Sequence, residues 1–238
     1  MGISNTIPPS RLIQPGVVAN TAARPTSPFT GQAIYQVDTN QYLIWNGTAW
    51  VIPNTPAQNP TGLELITTAT CSSGGTASGG VVTVGSSVSS VVVSNAFNST
   101  YNNYKVIYTG GTATINANMA VQLAGITTGS YYGSAYTSIY NTGAFLGAGD
   151  NATTSWTYGG WGSNTLNVMN IDIYQPFAST RTWFSSSPIV IVSGGNTGYG
   201  SATGECVSTA SVTGFTVFAG LSGTLTGGTI RVFGYRNS

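Results

Sequence analysis

The chain has 238 residues, of which only 5% are charged, with six Lys and Arg against five Asp and Glu and no histidine. An ordinary soluble domain carries roughly 25% charged residues to stay dispersed, so a chain without them is expected to live mounted in an assembly as a structural or adhesive part. A net charge of +1 provides no field to draw it onto phosphates, which excludes nucleic acid as a partner.

Disorder is excluded by a hydrophobic fraction of 41% and an aromatic fraction of 11%, enough apolar surface for a core. The missing charge is replaced by 35 Thr, 27 Ser and 32 Gly, a mixture that favours strands and tight turns over helices. Gly, Ser, Thr or Asn interrupts every apolar run well short of the ~18 residues a span needs, so membrane insertion is not expected. The start, Met1 to Pro9, lacks the basic then apolar layout of a signal peptide, and assembly in a cytoplasm is expected.

Eight of the ten prolines fall in the first 60 residues. Proline fixes φ and keeps the preceding residue out of helix, so residues 1–30 are read as an extended anchoring arm carrying Arg11 and Arg24. Residues 53–62 are read as a Pro-rich linker. Between them, residues 31–52 form a small β-meander, with alternating runs joined at Asp38-Thr39-Asn40 and at Asn46-Gly47. Three short strands cannot bury Tyr35, Tyr42, Trp45 and Trp50 among themselves, so this module is expected to self-associate.

From 63 to 238 the pattern is strand throughout. A long strand is predicted over 113–123, where Ala113, Ile115, Ala117, Met119, Val121 and Leu123 alternate with mostly polar residues. Others are predicted over 80–84, 88–93, 104–109, 166–174, 189–193, 214–219 and 229–235. About eight strands fit one antiparallel β-sandwich, jelly-roll-like. Residues 125–164 alternate weakly and are read as including long exposed loops, and Gly147 to Ala152 as a glycine-rich loop, not a dinucleotide fingerprint.

Without histidine there is no Ser-His-Asp or Cys-His site and no imidazole metal ligand. Only a glycosidase-type carboxylate pair drawn from Asp38, Glu64, Asp150, Asp172 and Glu205 survives, and these are more simply read as turn residues and cation partners. No enzyme activity, cofactor or metal is therefore expected. Cys71 and Cys206 are read as small reduced side chains, with a bond between them left open. One aromatic constellation, Tyr131, Tyr132, Tyr136, Tyr140, Trp156, Tyr158 and Trp161, lies among uncharged Asn, Ser, Thr and Gly. Tyr131, Tyr132, Trp156, Tyr158 and Trp161 are candidates for binding a glycan, since sugars offer apolar faces and hydroxyl edges. Core or interface packing is the simpler reading of the same rings.

Arg24-Pro25-Thr26-Ser27-Pro28-Phe29-Thr30-Gly31-Gln32-Ala33-Ile34-Tyr35-Gln36-Val37-Asp38-Thr39, followed by Tyr42-Leu43-Ile44-Trp45-Asn46-Gly47-Thr48-Ala49-Trp50, resembles a module found in virion proteins of tailed bacteriophages. The strands around Asn170 to Pro176 and Gly223 to Tyr235 are similar in style to phage β-sandwich domains. The resemblance implies a homotrimeric appendage on the virion surface, with Arg11, Arg24, Tyr35, Tyr42, Trp45 and Trp50 in capsid or trimer contacts. One role it implies is a capsid decoration or cement protein whose partner is the major capsid protein or another virion protein. The other is a head or tail fibre whose sandwich binds a host glycan. The short chain and the absence of a repetitive shaft favour decoration.

Overall fold

A computed structural model describes residues 16–53, 62–139, 143–187, 189–191 and 197–236. The chain divides into two compact units, Met1–Asn59 and Pro60–Ser238. The predicted arm over 1–15, with Arg11, and the spacer over 54–61 lie outside the described residues, as does Tyr140.

The first unit holds a four-stranded sheet of β1 (Gly16–Val18), β2 (Ala33–Gln36), β3 (Gln41–Trp45) and β4 (Trp50–Val51), paired in that order. The meander β2 to β4 turns where the sequence places its turns. Asn40 adopts φ 57 in the first turn, and Gly47 adopts φ +98 in the second, a backbone conformation that glycine enters without penalty. Asn46 Oδ1 closes that second turn by accepting from the backbone N–H of Thr48 at 2.9 Å and Ala49 at 2.8 Å. The expected arm is corrected over 16–30: β1 pairs in parallel with β2, and Thr21–Ala23 forms a single 3-10 turn capped by Asn20 Oδ1. Val17 and Val18, β-branched and free of proline, suit the exposed edge that β2 offers.

This unit buries little. Ile34 and Leu43 face one another across β2 and β3 and form its apolar centre. Gln36, fully buried beside them, accepts from Arg24 Nε at 2.7 Å and donates to Asp38 at 2.7 Å and Thr21 at 3.2 Å. A buried amide is tolerated because each of its polar atoms has a partner.

The second unit is all-β, a sandwich-like fold built from large antiparallel ladders. Its strands are β5 (Leu63–Leu65), β6 (Thr70–Ser73), β7 (Gly75–Ser78), β8 (Val81–Val84), β9 (Ser90–Ser94), β10 (Asn103–Thr109), β11 (Thr112–Ala113), β12 (Ala117–Leu123) and β13 (Tyr131–Ile139). They continue with β14 (Ala144–Thr153), β15 (Trp156–Gly162), β16 (Val168–Tyr174), β17 (Thr182–Ser186), β18 (Ile189–Ile191), β19 (Thr197–Cys206), β20 (Phe215–Ala219), β21 (Leu225–Thr226) and β22 (Thr229–Tyr235). One ladder runs β14-β13-β19-β17-β16-β10-β22, and another runs β15-β12-β20-β9-β6. They are joined where Gly160 and Trp161 of β15 pair with Met169 and Val168 of β16.

The core fills the space between these ladders. Tyr104, Val106, Tyr108, Ile171, Ile173 and Phe184 come from the first, and Met119, Val121, Leu123, Trp156, Phe215 and Val217 from the second, all buried in one cluster. Their strict alternation along β10, β12 and β16 follows from a side-chain period of two in an extended chain.

Two sequence expectations are corrected. The stretch 125–164 is not mainly loop: it contains β13, β14 and β15, and Gly147 to Ala152 lies inside β14. The long strand over 113–123 is two strands, because Thr112 and Ala113 leave to pair with β21 while β12 begins at Ala117. Cys71 on β6 and Cys206 on β19 are both free thiols, and burial pushes each upward from its ordinary pKa.

Candidate functional site

The aromatic candidates separate by the face of the strand they occupy. Tyr131 and Trp156 are fully buried and cannot serve as sugar platforms, a correction to the sequence reading. Trp156 meets Tyr131 edge-on at 5.3 Å and Phe184 at 4.6 Å, and its indole N–H donates to the Glu205 carbonyl at 3.1 Å. Tyr131 accepts from the Leu123 N–H and donates to the Ile126 carbonyl, and its burial drives the phenol pKa far upward. Both rings hold the two ladders together. Tyr158 and Trp161 are half-buried and line a separate depression of about 220 Å³ with Asn118, Ala135, Thr137, Leu146 and Ala148.

Tyr132, one position from Tyr131, points the other way and stays partly exposed. Registration across β13, β19, β17 and β16 sets Tyr132 beside Glu205, Glu205 beside Trp183, and Trp183 beside Tyr174. Directly paired residues of an antiparallel ladder share a face, so these four form one row. The neighbouring row on that face is Ser134, Thr203, Ser185 and Asp172. A shallow depression of about 630 Å³ opens here, lined by Tyr132, Ser134, Trp183, Thr203 and Glu205, with Asp150 at its side. Its floor is the backbone of Gly133 and Gly204. A Cβ on Gly204 would lie 2.1 Å from the Tyr132 carbonyl and 2.7 Å from the Phe184 ring, so glycine is what lets β13 and β19 close over that core ring.

The charged groups around this face are paired or hydrogen-bonded in place. Arg181 Nη1 reaches both carboxylate oxygens of Glu205, at 3.3 and 3.1 Å. Asp150, buried, accepts from Thr157 through its N–H at 2.8 Å and its hydroxyl at 2.6 Å. Further along the sheet, Lys105 pairs with Asp172 at 2.9 Å, and Tyr235 donates to the same carboxylate at 2.5 Å. That bond and burial raise the Tyr235 phenol well above its ordinary range, with burial the larger cause. Glu64 is bound by Arg236 at 2.6 Å, and Asp38 by Gln36. Each of the five carboxylates thus accepts a hydrogen bond from a neighbouring donor. No group of three or more metal-ligating side chains occurs among the described residues. No helix there is long and apolar enough to cross a membrane.

In the first unit, β1, β2, β3 and β4 share a second face. Val17 pairs with Tyr35, Tyr35 with Tyr42, and Ile44 with Val51, so these five side chains lie on one side of the sheet, opposite Ile34 and Leu43. Val17 is 71% and Tyr42 57% exposed. Tyr35 and Tyr42 touch at 4.8 Å, and Tyr35 donates to Asn40. Trp45 and Trp50, cross-strand partners with rings 5.7 Å apart, are half-buried. Arg24, expected at a capsid or trimer contact, spends its Nε on Gln36. Comparison with family models, curated proteins and solved structures finds no match to this chain.

Proposed function

We propose that the chain is a structural protein of a tailed-bacteriophage virion, a decoration or cement protein that binds the outer capsid surface as a homotrimer and stabilises the shell by non-covalent contacts. On this reading it is not an enzyme and uses no cofactor, and the larger unit is a sandwich of the jelly-roll kind. The observation that carries it is the apolar face of the first unit. A sheet is stable when its apolar face is covered by another layer. Here Val17, Tyr35, Tyr42, Ile44 and Val51 line one face, with Val17 and Tyr42 largely exposed, on a module whose own apolar centre is little more than Ile34 and Leu43. Copies of the same chain are the natural cover, because an uncharged face is complementary to itself. The number three comes from the resemblance of residues 24–50 to phage modules.

The full-length chain is expected to sediment at three times its chain mass of 24.4 kDa. Val17→Lys combined with Tyr42→Lys sets charge into the covered face and is expected to yield monomers with an unchanged β-sheet spectrum. A parent chain that is monomeric at all attainable concentrations contradicts the reading.

A further inference from the structure

We propose that the outer face of β13, β19 and β17 is a binding site for a neutral oligosaccharide, with Trp183 and Tyr132 as stacking platforms on either side of the Glu205 carboxylate. The row is built by register: β19 sets Glu205 between the two rings, and adjacent strands lie about 4.8 Å apart. The backbones that carry the two rings are therefore separated by roughly twice that distance.

Nothing in the packing demands a tryptophan at 183. Thr182 and Phe184 on either side of it are buried, and Phe184 supplies the core contact, while Trp183 faces out and stays 42% exposed. A large ring left open beside a glycine-floored depression offers an apolar surface without a protein layer to cover it. Sugars present apolar ring faces edged with hydroxyls, and an aromatic flanked by uncharged donors and acceptors matches both parts. Ser134 and Thr203, exposed in the next row, supply those donors and acceptors. A carboxylate has about four lone-pair sites and can accept from adjacent hydroxyls while still holding Arg181.

The charge balance fixes the ligand class. Arg181 is held on Glu205, and Asp150 is buried with its oxygens on Thr157, so the depression offers no unpaired cation to an anionic polymer. A neutral polyhydroxyl ligand brings no charge that would need a counter-ion there, and its hydroxyls can be hydrogen-bonded by the lining. This inference does not depend on the virion reading, since it concerns the purified chain alone.

The test titrates the full-length protein with maltoheptaose, cellohexaose, chitohexaose and, as an anionic counterpart, polygalacturonate, following tryptophan fluorescence and calorimetry. Saturable binding of at least one neutral oligosaccharide is expected. Trp183→Ala and Tyr132→Ala should each weaken it by about tenfold or more, the worth of one stacked ring, while Trp183→Phe keeps most of the affinity. Because Trp183 faces outward, its variants should melt with the parent. The proposal fails if none of the neutral probes binds saturably, if only polygalacturonate binds, or if binding is the same in the Trp183→Ala and Tyr132→Ala proteins. None of these results bears on the oligomeric state.

Discussion

Trp156 and Trp183 are the same residue type on strands of one unit, and their surroundings give them opposite roles. Trp156 has no exposed surface, packs against Phe184, meets Tyr131 edge-on, and donates its N–H to a carbonyl on β19. Its removal leaves a void bounded by both ladders and takes away the indole N–H bond to the Glu205 carbonyl. Trp156→Ala is expected to lower the unfolding free energy by about 3 to 5 kcal/mol, read from the midpoint of urea denaturation. Trp183→Ala deletes as many atoms from the surface and should shift the same midpoint by no more than about 0.5 kcal/mol. Equal losses at the two positions would mean that the facing assigned to β17 is wrong.

At the scale of the element, the β15–β16 pairing joins one ladder to the other, and it depends on the absence of a side chain at position 160. A Cβ there would lie 2.6 Å from the Val168 carbonyl and 2.7 Å from the Met169 Cβ. Gly160→Ala must therefore push the strands apart, at an expected loss of about 1 to 3 kcal/mol in the same assay. An unchanged midpoint would show that the junction is slack. The same chemistry explains which strands could be read in the sequence. β10, β12, β16, β20 and β22 alternate apolar with polar residues, the signal that marks a half-buried strand. β13 instead puts Tyr131, Gly133 and Ala135 inward and Tyr132, Ser134 and Tyr136 outward, so its alternation is in size and not in polarity. β19, with Gly198, Gly204 and Cys206 among Ser and Thr, hides its pattern in the same way. The site face inherited this opacity: Trp183 and Glu205 lie 22 positions apart in sequence and become neighbours only through register. Of the five aromatics that the sequence offered as glycan candidates, only Tyr132 stands on the depression beside Trp183. The module at 31–52 was legible, turns included, because Asn-Gly and Asp-Thr-Asn are strong local signals. β1 was not, since a parallel partner recruited from a proline-rich stretch leaves no local mark.

For the whole molecule, the scarcity of charge takes on a division of labour. In the larger unit six of the eight charged residues form pairs, Lys105 with Asp172, Arg181 with Glu205 and Arg236 with Glu64, while Arg231 and Asp150 hydrogen-bond to Thr229 and Thr157. In the smaller unit Arg24 and Asp38 converge on buried Gln36, and the remaining sheet face is apolar. A protein built this way gains little from long-range electrostatics and much from being held in contact with copies of itself or a lattice. The central claim is that this lattice is a phage capsid. The most direct test is quantitative mass spectrometry of tailed-phage particles purified from the source of this chain, taken as the ratio of this protein to major capsid protein. A decoration protein is expected at a fixed ratio of the same order as the capsid subunits, and its loss should lower the temperature at which particles release their DNA. A few copies per particle, or none, would contradict it.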